Sequence, residues 1–254
     1  MATMCGSIYN VYEFPGLIGI EILTRIRDNL TKDEIEEYIS KTLNIRPTLD
    51  LTTIIPSAGT AKIVKATWWL KLKQNEDGWI PDQQWKTFNC RSTKILTSPL
   101  HRLKPISRRT IVIAEGFHEW QPIYMGERTF SQLSKKEQQT PPKVIRKQCY
   151  LLRPKSGLCR LAALSKKWQD NKYSTGIITL PSHQGFRDIH RKSFPLVLGT
   201  EEIEDWLNPE ISTASFDLLF QTNDFRETWI ATPVMGPEDN RSVGEDIEFR
   251  ANPN

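Results

Sequence analysis

The stretch Arg108-Arg109-Thr110-Ile111-Val112-Ile113-Ala114 is followed by Glu115 and then by Gly116-Phe117-His118-Glu119-Trp120. The β-branched residues of its first part predict a buried strand, because they fit a pleated surface. The glycine lets the chain turn, and Glu119 then stands between a histidine and a tryptophan. Aromatic surroundings disfavour the charged form of a carboxyl group, which suits a general acid or base. The alternative is a carboxylate at a strand end that pairs with a nearby arginine.

Other short motifs accompany this stretch. In order along the chain, the set is Met4-Cys5-Gly6, Asn89-Cys90-Arg91-Ser92, Ala114-Glu115-Gly116-Phe117-His118-Glu119-Trp120, and Asp188-Ile189-His190 ahead of Pro195-Leu196-Val197-Leu198. Together they resemble the SRAP family, the SOS response-associated peptidases, also called abasic-site processing proteins. Any one motif is a weak signal, whereas the ordered set is a strong one. The resemblance runs from Met4 to about Pro233.

The order of the predicted elements indicates the fold class. Strands are predicted at residues 51–55, 61–72, 149–152, 158–164, 174–179 and 229–234, and helices at two places between residues 15 and 43, at 201–207 and near 213–220. Strands arrive in runs rather than alternating with helices. We therefore expect an α+β fold with a largely antiparallel, barrel-like sheet and peripheral helices.

We expect one SRAP-like domain over residues 5–235. Residues 1–4 form a leader that we expect to be absent or removed. Residues 121–147 are polar and rich in Lys and Gln, which predicts a surface insertion with one short helix. From Gly236 onward the chain is rich in Gly, Pro and acidic residues, which predicts a loose tail at residues 236–254.

The composition, the cysteine spacing and the net charge indicate which partners and which location to expect. The 254 residues are 38% hydrophobic and 25% charged, as in ordinary soluble globular proteins. No apolar run approaches the roughly 20 residues that a membrane helix needs, so we expect no membrane partner. The four cysteines lack the Cys-x-x-Cys spacing of zinc and redox sites, and we expect no metal, no cofactor and a reduced, intracellular location. The net charge of +4 is compatible with a nucleic-acid partner without requiring one.

The resemblance implies that Cys5 is the reactive residue. If translation starts at Met4 and that methionine is removed, Cys5 carries a free α-amino group beside its thiol. The amine attacks an aldehyde to give a Schiff base, and the thiol then closes a five-membered thiazolidine ring. An abasic site in DNA offers such an aldehyde when its sugar ring opens. The alternative for Cys5 is a small buried hydrophobic residue, the commoner fate of a free cysteine.

Three further residues complete the catalytic set that the resemblance implies. Asn89 would hold the amino group of Cys5 or the sugar by hydrogen bonds. Glu119 would transfer protons as the sugar opens and the imine forms. His190 would stabilise the sugar hydroxyl or the imine and assist β-elimination at the 3′ phosphate. The alternatives are an ordinary turn asparagine for Asn89 and a surface histidine in a basic loop for His190.

The resemblance also implies a DNA-binding surface. Arg91 matches a phosphate-contacting arginine, which the forked guanidinium suits, and its alternative role is a salt bridge. Trp68 aligns with the tryptophan of a Trp-Gly-Leu-x-Pro element. Asn44 aligns with the first residue of an Asn-x-x-Pro element.

Some positions depart from the family pattern. Trp69 replaces the glycine of the Trp-Gly-Leu-x-Pro element, and Thr93 replaces an acidic residue. Pro99 stands where the family commonly has another arginine, for which Arg102 is the candidate substitute. The interval from His190 to Pro195 is one residue longer than usual. These departures weaken the DNA-contact assignments more than the catalytic ones.

Three functions fit these residues. The first is an abasic-site sensor and processing protein that crosslinks to single-stranded DNA, with lyase and self-reversal activity. The second is a cysteine peptidase with an N-terminal nucleophile, using Cys5, Asn89 and His190. The third is a non-catalytic single-strand binding module that keeps the fold. For the first function, the expected partner is single-stranded DNA containing abasic sites, bound by a monomer.

Overall fold

The computed structural model describes residues 6–9, 44–57, 60–95, 97, 107–221 and 225–251. Cys5, Arg102, Pro99 and the two helices predicted between residues 15 and 43 lie outside the described residues. The other predicted site residues lie within them: Asn44, Trp68, Asn89, Arg91, Glu119 and His190.

Within its described part, the chain forms sixteen strands and four short α-helices. The strands are β1 Ile8–Tyr9, β2 Asn44–Ile45, β3 Asp50–Ser57, β4 Thr60–Trp68, β5 Leu72–Asn75, β6 Gly78–Pro81, β7 Asn89–Arg91, β8 Ser107–Ala114, β9 Gly116–Tyr124, β10 Val144–Pro154, β11 Cys159–Lys167, β12 Tyr173–Pro181, β13 Ser193–Pro195, β14 Trp229–Gly236, β15 Asp239–Ser242 and β16 Ile247–Phe249. The α-helices are α1 Ser92–Ile95, α2 Lys135–Gln139, α3 Ile203–Leu207 and α4 Asp217–Gln221. The longest of these helices have five residues, whereas a bilayer-spanning helix needs about 20.

Five strands close into a barrel. β3 pairs with β4 and β8, β11 pairs with β8 and β12, and β12 pairs with β4, which completes the ring. β12 runs parallel to β4, while the other pairings of the ring are antiparallel. The predicted α+β class, with a single domain and a largely antiparallel, barrel-like sheet, is confirmed.

The strand β8 is buried on both faces, which explains its continuous apolar run. Ile111 and Ile113 pack in a cluster that includes Trp206 of α3. Val112, pointing the other way, packs in a second cluster with Phe117 of β9. The β-branched run therefore forms one wall of the barrel and the surface against which the second sheet packs.

The second sheet contains β1, β2, β9, β10, β14, β15 and β16. The chain enters it between β8 and β9, at Gly116. A Cβ at this position would overlap the carbonyl oxygen of Leu152 on β10, so a glycine is needed for the two strands to approach. The crossing sets Glu119 opposite Tyr150 in the middle of this sheet.

A second close approach joins β7 to β12 at Gly176. A Cβ there would stand 2.7 Å from the carbonyl oxygen of Thr87 and 2.8 Å from Sγ of Cys90. The missing side chain therefore lets β7 lie against the barrel. Two of the predicted site residues, Asn89 and Arg91, are on this short strand.

The expected loose tail is wrong for residues 236–251. β15 and β16 both pair antiparallel with β14 at the edge of the second sheet. Their side chains are mostly exposed, so the polar composition reflects an edge position rather than an absence of structure.

The predicted insertion at residues 121–147 is partly strand. β9 continues to Tyr124 and β10 begins at Val144, so the excursion from the sheet comprises residues 125–143. The predicted short helix is α2. Its first turn is closed by a capping box between Ser134 and Glu137.

Gly176→Ala should lower the free energy of unfolding by about 1–3 kcal/mol, the usual effect of adding a methyl group to a packed interior. The new Cβ would have to displace the Thr87 carbonyl or the Cys90 thiol. Urea unfolding followed by tryptophan fluorescence measures the change. Gly236→Ala is the matched control, because a Cβ there meets no described atom within 4 Å. Equal stabilities of the two variants would contradict the close approach at Gly176.

Candidate active site

A carboxyl group and an imidazole meet in the interior. Glu119 on β9 is 2% exposed, and His190, between β12 and β13, is 9% exposed. Oε2 of Glu119 lies 3.0 Å from Nδ1 of His190. Side chains alternate along a strand, so Glu119 points to the same face as Phe117, which packs toward the barrel. The alternative of a surface histidine is therefore wrong, and the partner that the geometry shows for Glu119 is His190.

The backbone around His190 is held on both sides. Its N–H donates to the carbonyl of Phe186 at 2.9 Å, and its carbonyl accepts from the hydroxyl of Ser182 at 2.6 Å. Ile189 is buried in the same apolar cluster as Phe186. Nε2 of His190 is buried and has no hydrogen-bond partner among the described residues. A ring with one nitrogen bound to a carboxyl group and the other uncommitted is arranged as an acid–base group requires.

The N-terminal strand β1 leads toward this pair. It runs antiparallel to β9, and the N–H of His118 donates to the carbonyl of Ser7 at 2.9 Å. When the antiparallel pairing of Ser7 with His118 is continued by one residue toward the N-terminus, Gly6 stands opposite Glu119. A Cβ built on Gly6 would meet no described atom within 4 Å, so the space beside this residue is open.

A chain of hydrogen bonds fastens β1 to the rest of the molecule. The hydroxyl of Ser7 donates to Oδ1 of Asn44 on β2 and lies 2.9 Å from Nδ1 of His118. Nε2 of His118 lies 2.8 Å from Oδ1 of Asn240 on β15. The amide of Asn44 also donates to Glu238 at 2.8 Å. The segment expected to be a loose tail therefore provides two partners to the network around β1.

His118 is fully buried within this network. Burial lowers the pKa of its imidazole, while the hydrogen bond to Asn240 and the charge of Glu238 act in the opposite direction. An ordinary histidine begins to gain charge as the pH falls below about 7. Because the pKa of His118 is lower than usual, its ring is mainly neutral near pH 7. An amide oxygen can only accept, so the single N–H of a neutral imidazole lies on Nε2 and donates to Oδ1 of Asn240.

The strand β7 carries two more of the predicted residues. Asn89 is half-buried opposite Ile177 of β12, and Arg91 is exposed opposite Thr179. No acidic side chain in the described ranges pairs with Arg91, so the salt-bridge alternative is not seen there. β12 thus connects Asn89, on the strand beside it, with His190, which follows it in the chain.

Two residues predicted to contact DNA are buried. Trp68 has no exposed surface, and its indole N–H donates to the carbonyl of Phe88 at 2.8 Å. Asn44 is 5% exposed and belongs to the network around β1. Both side chains are therefore buried among the described residues, and neither is presented to solvent as an exposed DNA contact would be. Trp69, which replaces the family glycine, is also buried, so that departure changes the interior.

An exposed tryptophan nearby is Trp85, which the sequence motifs did not single out. Its side chain is 44% exposed, and Nζ of Lys71 lies 4.7 Å from the ring centre. Lys71 also pairs with Asp82 at 3.1 Å. An indole face beside an ammonium group suits a nucleobase next to a phosphate. The polar neighbours Gln84 and Lys86 were the signal that this indole is not part of the core.

The three described cysteines are free and buried. Burial raises the pKa of the Cys90 thiol to about 12. Burial, and secondly the charge of Glu119, raise the pKa of Cys149 to about 12. Burial likewise raises the pKa of Cys159 well above its usual range. Because the thiolate is the reactive form, none of these three is suited to nucleophilic chemistry at neutral pH, and Cys5 remains the candidate.

Comparison with known proteins gives a consistent result. A family model described as SOS response associated peptidase (SRAP) matches residues 4–235. The abasic site processing protein YoaM of Bacillus subtilis (strain 168) is 23% identical over 236 residues, which cover 87% of this chain and 93% of YoaM. The abasic site processing protein YoqW of the same strain is 24% identical over 247 residues, which cover 93% of this chain and 96% of YoqW.

A solved structure shares the fold. The crystal structure of a protein from Bacteroides thetaiotaomicron superposes with a TM-score of 0.64 and 19% identity, over 92% of this chain and 97% of that one. At this identity the likeness concerns the architecture alone.

The stability of the protein should fall as the pH drops below about 6.5, in part because of His118. Its pKa is lowered in the folded state, so its contribution to stability is fully present above the unfolded-state pKa of about 6.5. That contribution is lost as the pH falls toward and through the folded-state pKa. His118→Gln has no titrating ring and should show a shallower decline. Urea unfolding at steps between about pH 7 and pH 5 measures this, and parallel curves for the two proteins would count against a neutral buried His118.

Proposed function

The chain belongs to the SOS response associated peptidase (SRAP) family, and we propose that it processes abasic sites in single-stranded DNA by forming a covalent bond through Cys5. The observation that carries this proposal is the buried pair of Glu119 and His190. The strand β1, which begins three residues after Cys5, pairs with the strand that carries Glu119. Similarity to two abasic site processing proteins over most of both chains supports it.

The covalent chemistry needs a free α-amino group on Cys5. The neutral amine adds to the aldehyde carbon of the opened abasic sugar, and loss of one water gives an imine. The thiol sulfur then adds to the imine carbon while the thiol proton passes to the nitrogen, which closes the thiazolidine ring. With residues 1–4 attached, the nitrogen would be an amide whose delocalised lone pair cannot form an imine. Absence or removal of residues 1–4 is therefore part of the proposal.

The described part of β1 supports this role for Cys5. Cys5 directly precedes Gly6, and consecutive Cα atoms are about 3.8 Å apart. The β1–β9 register, continued to Gly6, sets that residue level with Glu119, and paired strands are about 4.8 Å apart. Cys5 is therefore joined directly to a residue that this register sets beside the strand of Glu119.

The pair would move protons at each stage. Glu119 would protonate the hydroxyl that leaves as water when the imine forms. His190 would take the proton from the sugar carbon next to the imine, so that the C–H electrons form a double bond and the 3′ phosphate leaves. Reversal begins when the C–S bond of the thiazolidine breaks and the proton on nitrogen returns to sulfur, which restores the imine. Water then adds to the imine carbon, and the aldehyde and the free amine are released.

The strand β7 and its surroundings would bind the DNA. Asn89 would orient the amine or the sugar through its amide group. Arg91, exposed and directed to solvent, would contact a phosphate. Trp85, with Lys71 against its ring, would stack on a base.

The other two functions are less well supported. Cleavage of the bond between Met4 and Cys5 by the same residues would be a peptidase event, which would prepare the amine rather than replace the crosslink. A non-catalytic binding module gives no reason for a carboxyl group and an imidazole in the interior. Replacing such a pair by apolar residues is often neutral or stabilising, so its presence favours a chemical role.

A direct experiment separates these functions. The protein is mixed with single-stranded oligonucleotides that carry one abasic site, one uracil or neither, and the mixtures are run on a denaturing gel. A heat-resistant shifted band with the abasic oligonucleotide alone is expected. Reversible binding to all three without such a band would support the binding module instead.

Glu119→Gln should slow both formation and reversal of the crosslink at least about a hundredfold, because glutamine keeps the shape of the side chain but cannot transfer a proton. Time courses on denaturing gels measure the two rates. Glu127→Gln is the matched control, since Glu127 is exposed and pairs with Arg146. Rates equal to those of wild type, in a variant whose circular dichroism shows it to be folded, would return Glu119 to a structural role.

Arg91→Ala should weaken binding to single-stranded DNA of any sequence and reduce the slope of log K against log salt by about 0.7, the effect of one phosphate contact.

Trp85→Ala should weaken binding by about 1–3 kcal/mol with no change of slope, because an indole is uncharged. Fluorescence anisotropy over a salt series measures both. Arg146→Ala is the control for loss of a cation elsewhere. A change of slope with Trp85→Ala, or none with Arg91→Ala, would contradict the assignment of the two contacts.

A further inference from the structure

The excursion of residues 125–143 lies against the loop that carries His190. Two of its residues, Phe130 and Ser131, contact the residues on either side of that histidine. The contacting segments are 57 residues apart in the chain. The excursion thus touches the candidate site without contributing a reacting group to it.

The first contact is between Ser131 and Asp188, which stands two residues before His190. The N–H of Ser131 donates to Oδ1 of Asp188 at 2.6 Å, and its hydroxyl donates to Oδ2 at 2.6 Å. Both carboxylate oxygens are therefore held by one residue, which fixes the position and the rotation of the carboxylate. Hydrogen bonds to a charged acceptor are roughly twice as strong as neutral ones.

The second contact is between Phe130 and Arg191, the residue after His190. The guanidinium carbon lies 4.3 Å from the ring centre, within the range of a cation–π interaction. Phe130 is itself buried in a small cluster with Tyr124 and Leu133. Arg191 therefore rests on a ring that is fixed by its own packing.

The excursion has the internal bonds that a rigid support needs. Arg128 donates to both carboxylate oxygens of Glu137, at 2.8 and 3.2 Å, and Glu137 also closes the capping box with Ser134. The amide of Gln138 donates to the carbonyl of Phe130 at 3.3 Å. These bonds tie α2 to the residues that touch the His190 loop.

We propose that the excursion is a positioning element, in which Ser131 and Phe130 hold His190 at hydrogen-bonding distance from Glu119. β9 supplies Glu119 and, five residues later, Tyr124, on which the cluster under Phe130 is built. One continuous stretch of chain therefore holds both members of the pair. The predicted effect on DNA chemistry rests on the proposed function, whereas the effect on the imidazole does not.

The geometry of the pair is sensitive to this support. Hydrogen bonds weaken steeply with distance and angle, and a misplacement of about 1 Å can lower a reaction rate a hundredfold. Ser131, Phe130 and Asp188 do not touch the reacting atoms, so they are positioning residues. Their loss should disturb the orientation of His190 and leave the affinity for unmodified DNA unchanged.

Three substitutions test the contact between Ser131 and Asp188. Asp188→Ala removes both hydrogen bonds, and Ser131→Ala removes the hydroxyl bond while keeping the backbone one. Ser131→Asp places a second carboxylate against Asp188, which should open the contact by like-charge repulsion. Glu127→Gln is the matched control, because it changes an exposed carboxylate of the same excursion that pairs with Arg146 and takes no part in these bonds. Circular dichroism establishes folding, and the mild Ser131→Ala serves if Asp188→Ala does not fold.

Two readouts decide the proposal. The ¹⁵N chemical shifts of the His190 imidazole report whether Nδ1 is hydrogen-bonded, and should move in Ser131→Ala and further in Asp188→Ala and Ser131→Asp. Crosslink formation and β-elimination should slow about tenfold in the latter two, with unchanged affinity for unmodified single-stranded DNA. Wild-type shifts and rates in folded Asp188→Ala and Ser131→Asp would overturn the proposal. If the wild type forms no crosslink, the proposed function fails, and the chemical shifts alone decide the positioning role.

Discussion

The interaction on which the rest of the structure depends is the hydrogen bond between Glu119 and His190. A carboxyl group that is 2% exposed is stable only with a partner, because burial of an unpaired polar group is strongly unfavourable. The partner comes from a loop 71 residues further along the chain, and the two meet at 3.0 Å. The barrel, the second sheet and the peripheral segments can be understood by how they bring these two groups together.

Three separate parts of the chain hold Glu119 and His190 next to each other. The barrel strand β8 continues across Gly116 into β9, and this continuation fixes the buried position of Glu119 in the second sheet. The hydrogen bonds that join Ser7 and His118 to the edge of the second sheet hold β1 beside β9. The excursion then returns to the loop of His190 through Asp188. The second and third supports are polar and specific in direction, whereas the apolar clusters beneath provide the bulk of the packing.

Local patterns predicted the features that depend on neighbouring residues. The β-branched run of β8 indicated a buried strand, and the motif around Glu119 indicated its position after a turn. The long-range features could not be predicted in this way. Trp68 matched a motif, but a motif does not say which face of a strand a side chain takes, and its face is the core. The segment after Gly236 looked unstructured because its residues form an edge, where polar side chains are favoured.

The proposed function depends on a covalent bond between an N-terminal Cys5 and the abasic aldehyde. The most direct test is intact-mass spectrometry of the heat-resistant adduct, followed by peptide mapping. The expected mass is that of a chain that begins at Cys5 plus that of the abasic oligonucleotide minus one water, with the DNA attached to the peptide containing Cys5 and Gly6. An adduct on a chain that retains residues 1–4, or a link mapped to a lysine, would contradict it.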